Sequence, residues 1–185
     1  MNTAARLLAA AVLAVAVAGC ASGVKRADDA AKREAYFAKG GKIAQDVTVS
    51  LSKDAQVRLA DNLTFDQQKL LTMIRRALDA QNLLAKTPDA ALPKIEVVVT
   101  DIRVRSTFSA VMFGFMAGDD RIFGDVIVRD AAGKELQRFS VEASYALGGI
   151  AGGIEDTRMG WLYETFAKHT VDELTGKADA AAAPK

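Results

Sequence analysis

Apolar and polar residues change rhythm several times along this chain, and each rhythm predicts an element. Val47-Thr48-Val49-Ser50-Leu51 alternates with period two, the pattern of a half-buried strand. A shorter stretch at 56–59 fits neither period clearly. From Thr64 the period lengthens: Leu70, Leu71, Ile74, Ala77 and Leu78 share one side of a helix, while Gln67, Lys69, Arg75, Arg76 and Asp79 take the other. Thr64 and Gln67 have capping-box spacing, and Pro88 and Pro93 place the end of this helix near Leu84. Ile95 to Arg105 is the longest strand. It sets Ile95, Val97 and Val99 on one face and Val98, Thr100, Ile102 and Val104 on the other, as a central strand does at its start. Two strands over 121–130 and 135–145 are joined by Asp130-Ala131-Ala132-Gly133-Lys134, where Gly133 supplies the positive φ of a tight turn. The second strand points Phe139, Val141, Ala143 and Tyr145 inward. A final helix carries Met159, Leu162, Tyr163, Phe166, Thr170 and Leu174 as its buried stripe, with Gly176 placed as its C-cap.

The order β-α-β-β-β-α predicts an α+β domain: a mostly antiparallel or mixed sheet of about four strands with two main helices on one face. Residues 47–175 are the expected globular part, of common domain size. Residues 20–46, rich in Ala, Lys, Asp and Glu and interrupted by Gly40-Gly41, read as a tether, and residues 176–185 as a disordered tail.

The N-terminus sets the expected compartment. Arg6 precedes an unbroken Leu/Ala/Val run from Leu7 to Ala18. As a helix that run rises about 18 Å, too little for a hydrocarbon core of about 30 Å, so it reads as an export signal. Val17-Ala18-Gly19-Cys20 resembles the lipobox of bacterial lipoproteins. The resemblance implies cleavage between Gly19 and Cys20, acylation of Cys20 (palmitate among the chains) and anchoring in a membrane. Cys20 is the single cysteine, so an intramolecular disulfide is excluded. Ala21 in place of an aspartate favours the outer membrane, with the domain facing the periplasm. The chain has 24 basic and 23 acidic residues, and the signal carries one of the bases, Arg6. Neither this balance nor any basic block points to nucleic acid.

Two stretches are candidate contact sites. Phe108 to Gly118 is uncharged and contains Phe108, Met112, Phe113, Phe115 and Met116, in a connection between strands where polar residues are usual. It reads either as a lid completing the core or as an adaptable surface for a partner, with a lipid interface the less favoured occupant because no Lys/Arg cluster flanks it. Gly148-Gly149-Ile150-Ala151-Gly152-Gly153 leads into the final helix, but Ile154, Glu155 and Asp156 follow where a phosphate loop needs lysine and a hydroxyl. Two carboxylates at the helix start repel phosphate and already satisfy the dipole. No nucleotide is expected there, and Leu147 and Ile150 are candidate contacts instead. His169 is the single histidine, which leaves no usual zinc set. Asp119-Asp120 lacks EF-hand spacing and reads as a turn and strand start. Arg103, Arg105, Arg121 and Arg129 read as one sheet face paired with Asp101 and Asp125 in solvent. Trp161 is expected at the core or an interface edge. No metal, cofactor or catalytic set is expected.

The run from Val97 to Thr175, with its Phe-Gly-Phe-Met-Ala-Gly segment at 113–118, Gly-Lys-Glu-Leu hairpin at 133–136 and Gly-Gly loop, resembles a family of short proteobacterial lipoproteins known only as a domain of unknown function. The likeness extends over 47–175 together with the lipobox. In element order the chain is loosely similar to the curli secretion lipoprotein, the TolB N-terminal domain and the activators of peptidoglycan synthases, which carries no functional residue over. The expected function is a lipid-anchored, non-enzymatic envelope adaptor or assembly factor that binds another envelope protein. Alternatives are a periplasmic glycan- or lipid-binding (or hydrolytic) domain, and a ring-forming secretion component. Oligomeric state stays open.

Overall fold

The computed structural model describes residues 22–26, 35–38, 42–61, 64–113, 118–146 and 154–177. Within them the order is β1 (Gly23–Lys25), β2 (Val47–Leu51), α1 (Lys53–Leu59), α2 (Gln67–Ala80), β3 (Lys94–Arg103), α3 (Thr107–Phe113), β4 (Asp120–Arg129), β5 (Glu135–Tyr145) and α4 (Glu155–Thr175). The fold is α+β, as the patterns predict, built on one mixed sheet in the order β1-β5-β4-β3-β2. Only β2 and β3 run parallel, and α1 and α2 form the crossover between them. The sheet has five strands rather than about four, because Gly23–Lys25 pairs antiparallel with Ser140–Glu142.

That extra strand revises the role expected of residues 20–46. Beyond β1, Arg26 forms a two-pronged pair with Glu173 near the end of α4. Phe37 is buried, its N–H donating to Leu174 O at 3.1 Å, and Tyr36 N–H donates to Gln137 Oε1 at 2.9 Å. Aromatic side chains give this stretch enough apolar area to dock. Its polar composition hides them.

α2 and α4 pack on one face of the sheet. α2 buries Leu70, Ile74 and Leu78, and every residue of the stripe expected on α4 is buried. Tyr163 joins the two helices: its hydroxyl accepts Asp66 N–H at 2.7 Å, and its ring meets Phe65 edge-on at 5.9 Å. Asp66, not Thr64, caps α2, accepting from Gln68 N–H and Lys69 N–H. Gln67 instead spans to Val49 O at 2.7 Å. The helix ends at Ala80, short of Leu84, which leaves it to bridge to Ala44.

One departure from strict alternation matters. β3 carries a bulge between Val99 and Asp101. The extra residue flips the parity, so Ile102 returns to the core face with Ile95, Val97 and Val99 instead of sharing the face of Val98. On β4 the core face reads Ile122, Gly124, Val126 and Val128. Gly124 makes room for α4: a Cβ there would stand 3.2 Å from the Phe166 ring and 3.0 Å from Val98 O. Gly133 (φ 83°) and Gly176 (φ 74°) take the left-handed conformations the sequence assigns to them.

Candidate functional site

Three strands and the longest helix converge at one end of the sheet, where β3 ends and β4 begins, and β5 ends and α4 begins. Asp120 opens β4 in phase with Ile122 and Val126, so its carboxylate points into the core. It is fully buried. Two arginines meet it. Arg105 Nη2 lies 3.0 Å and Arg158 Nε 2.8 Å from Asp120 Oδ2, while Asp120 Oδ1 accepts Arg105 N–H at 2.6 Å. Arg105 also donates to Gly118 O at 2.7 Å and Tyr145 O at 3.0 Å, and Arg158 donates to Arg105 O at 2.9 Å. A charge buried this deeply is tolerable only when its bonding capacity is filled. Here the arginines' fixed forks fill it with backbone carbonyls from three different segments.

The effect is a clamp. It fixes the roots of the segment that carries α3, through Arg105 on one side and Gly118 on the other. The solvated reading of Arg105 therefore fails, and Asp120 is more than a strand start. The other arginines do lie in solvent-reached pairs, though with different partners than expected for some. Arg121 pairs with Asp101 at 3.0 Å, Arg129 with Glu96 at 2.9 Å, and Arg103 with Asp119 at 3.9 Å; it is Arg138 that faces Asp125, at 3.5 Å. Lys25 joins Glu142 at 3.6 Å and stands 5.5 Å from the Phe123 ring centre. These residues line the sheet face opposite α2 and α4.

α3 hangs from the clamp. Phe108, Met112 and Phe113 are 68, 62 and 58% exposed, so at these residues the segment does not fold back as a lid. Phe115, Met116, Leu147, Ile150, the glycine run 148–153, Gly19 and Cys20 lie outside the described residues. Trp161 is partly buried, edge-on to Tyr145 at 5.1 Å. His169 is half-buried on the flank of α4; burial, then the neighbouring Lys168, push its pKa below the ordinary imidazole value against the weaker pull of Asp172. Between α2 and α4 runs a groove of about 400 Å³, floored by Met73, Ala77, Ala167 and Val171 and rimmed by Arg76 and Asp172. Among the described residues no group of three or more His, Cys, Asp or Glu side chains is placed to hold a metal, and no helix is long and apolar enough to cross a membrane.

Sequence reasoning missed Arg158. Its signal was phase: it stands four residues before Leu162 and eight before Phe166, on the buried stripe, where a charge needs a partner.

A mixed sheet helix-covered on one face, closed at one end by an Arg–Asp–Arg clamp, defines the class of domain. The chain belongs to the family of the domain of unknown function DUF4410, whose model matches residues 26–149. No curated protein matches it in sequence. Among solved structures, it is similar to a point variant of PelC from Paraburkholderia phytofirmans, a dodecamer, at 11% identity and TM-score 0.42, over 83% of this chain and 98% of that one. It is also similar to rare lipoprotein B from Shewanella oneidensis, at 17% identity and TM-score 0.37, over 75% and 97%.

Proposed function

We propose that the protein is a lipid-anchored, non-catalytic envelope adaptor, held by acylated Cys20 at the outer membrane on its periplasmic side and engaging another envelope protein. The observation that most supports this reading is how a residue close to Cys20 in the chain is held to the sheet. Ser22 Oγ donates to Ser144 O at 3.1 Å and accepts Ser144 N–H at 2.9 Å. Only Ala21 stands between Ser22 and Cys20. Two residues reach at most about 7 Å. An acylated Cys20 therefore brings the domain to the bilayer with almost no slack, a geometry suited to presenting a fixed surface to a neighbour.

The glycan-directed alternative needs two acids paired in a deep polar pocket. In the α2/α4 groove, Glu164 and Asp172 are eight residues apart on one helix, about 12 Å along its axis, and Asp172 is tied to Lys168. The acids of the open sheet face are each matched by an arginine or lysine.

Metabolic labelling with a fatty-acid probe should mark the wild type and not Cys20→Ser, and only the wild type should sediment with membranes. A Cys20→Ser chain that stays with the membrane overturns the anchor. A photocrosslinker at Phe123, on the sheet face opposite α2 and α4, should capture one discrete envelope protein. Absence of any adduct from both Phe123 and Phe113 overturns the adaptor.

A further inference from the structure

Among the described residues the large exposed apolar side chains are Val57, Phe108, Met112, Phe113 and Ile154. They sit on three different elements, yet all three emerge from one end of the sheet. α1 follows the end of β2 and reaches Asp101 through Arg58 at 2.9 Å. α3 follows β3, and Ile154 caps the start of α4, one turn before the clamp residue Arg158. The register of β1 places Ser22, two residues after Cys20, at this same end. Gly23 stands opposite Glu142 and Lys25 opposite Ser140, so the chain enters the sheet beside the last residues of β5 and runs away from them. Bonds link that entry to the root of α3: Ser22 to Ser144, and Tyr145 O to Arg105, two residues before Thr107. The β4–β5 turn at Ala132 lies at the opposite end, roughly 35 Å away at about 3.3 Å per strand residue.

We infer that α3 is a second membrane contact, with Phe108, Met112 and Phe113 entering the lipid interface of the bilayer that holds Cys20. The inference rests on the acylation proposed above. With the anchor at most about 7 Å from Ser22, the end of the domain carrying the exposed apolar groups is the end facing the headgroups. Phe and Met gain from leaving water there, which adds an apolar contact to the hold of the acyl chains. The Arg105–Asp120–Arg158 clamp holds the root of α3 rigid, so acyl chain and helix together fix the tilt of the domain. Insertion by this helix runs on apolar burial, not on a basic patch, and is therefore insensitive to salt and to anionic lipid content.

The acylated protein serves for the test, because a thioether at Cys20 leaves an introduced cysteine as the sole free thiol. An environment-sensitive fluorophore is placed at Met112→Cys or, as control, at Ala132→Cys, and each protein is reconstituted into phosphatidylethanolamine vesicles with and without phosphatidylglycerol, carrying nitroxide-labelled lipids. Emission at Met112 should shift to the blue and be quenched at least threefold more than at Ala132, equally at low and high salt. Equal quenching in a chain whose intact mass proves acylation overturns this inference and leaves the anchor standing. An unmodified mass overturns both. A Met112 label silent in pure vesicles but shifted in native envelopes assigns α3 to a protein partner and overturns the lipid contact.

Discussion

Asp120 joins two buried arginines from different segments through one carboxylate. Removing that carboxylate takes a charged acceptor from both guanidinium groups in the core. Asp120→Ala should cost about 3–5 kcal/mol in urea unfolding, a large share of the 5–15 kcal/mol that a domain usually holds. Gly124 is the opposite case, a position defined by what is missing. Its Cβ would press the Phe166 ring and the β3 backbone, so Gly124→Ala should lose about 1–3 kcal/mol, read as a lower urea midpoint with unchanged slope. Two titrations complete this scale. Burial pushes the Tyr163 hydroxyl up to about 12. The unfolded chain ionises first, near 10, so stability present below that value is lost as pH climbs from about 10 to 12, and Tyr163→Phe should flatten this alkaline loss. His169 has the reverse sign. With its folded pKa depressed, the unfolded chain takes up the proton first, so stability falls as pH drops below about 6.5. Thermal melts between pH 7.5 and 5.5 should show a smaller decline in His169→Gln than in wild type.

At the level of elements, the long periodic segments were legible because one physical rule governs each of them. The stripes of α2 and α4, the alternation of β2 and β5 and the glycines at 133 and 176 follow from burial of one face and from the φ each turn demands. The rest was set by tertiary partners that local pattern does not contain. Ile102 reads as a wrong-face residue until the bulge before it is known. Asp120 reads only as a turn and strand start, and Arg158 draws no notice, until the apolar phase of their neighbours is taken seriously. β1 is only three residues long, too short for any period, and is defined by β5, over a hundred residues later. Its support from Arg26 gives a direct check. Arg26→Ala leaves the buried Glu173 carboxylate without its two-pronged partner and should cost about 1–3 kcal/mol. Adding Glu173→Leu should recover much of that loss, since no charge then stays stranded.

At the scale of the whole molecule, the described residues form a helix-covered sheet face, a charged face opposite it and an apolar end, and Ser22, two residues after the residue read as the anchor, lies at that end. The exposed apolar residues of that end were visible in sequence as Phe108, Met112 and Phe113; their orientation relative to Cys20 was not, because it depends on the direction in which β1 enters the sheet. That direction has a mechanical consequence. A pull on the lipid acts at the Ser22 end and along the strand, so the bonds of Gly23–Lys25 to β5 share the load in shear, and the Arg26–Glu173 pair stands behind them. Once both have given way, the 15 residues from Cys20 to Glu34 could extend to at most about 50 Å of line. The same segment would then be a short mooring at rest and a long one under tension.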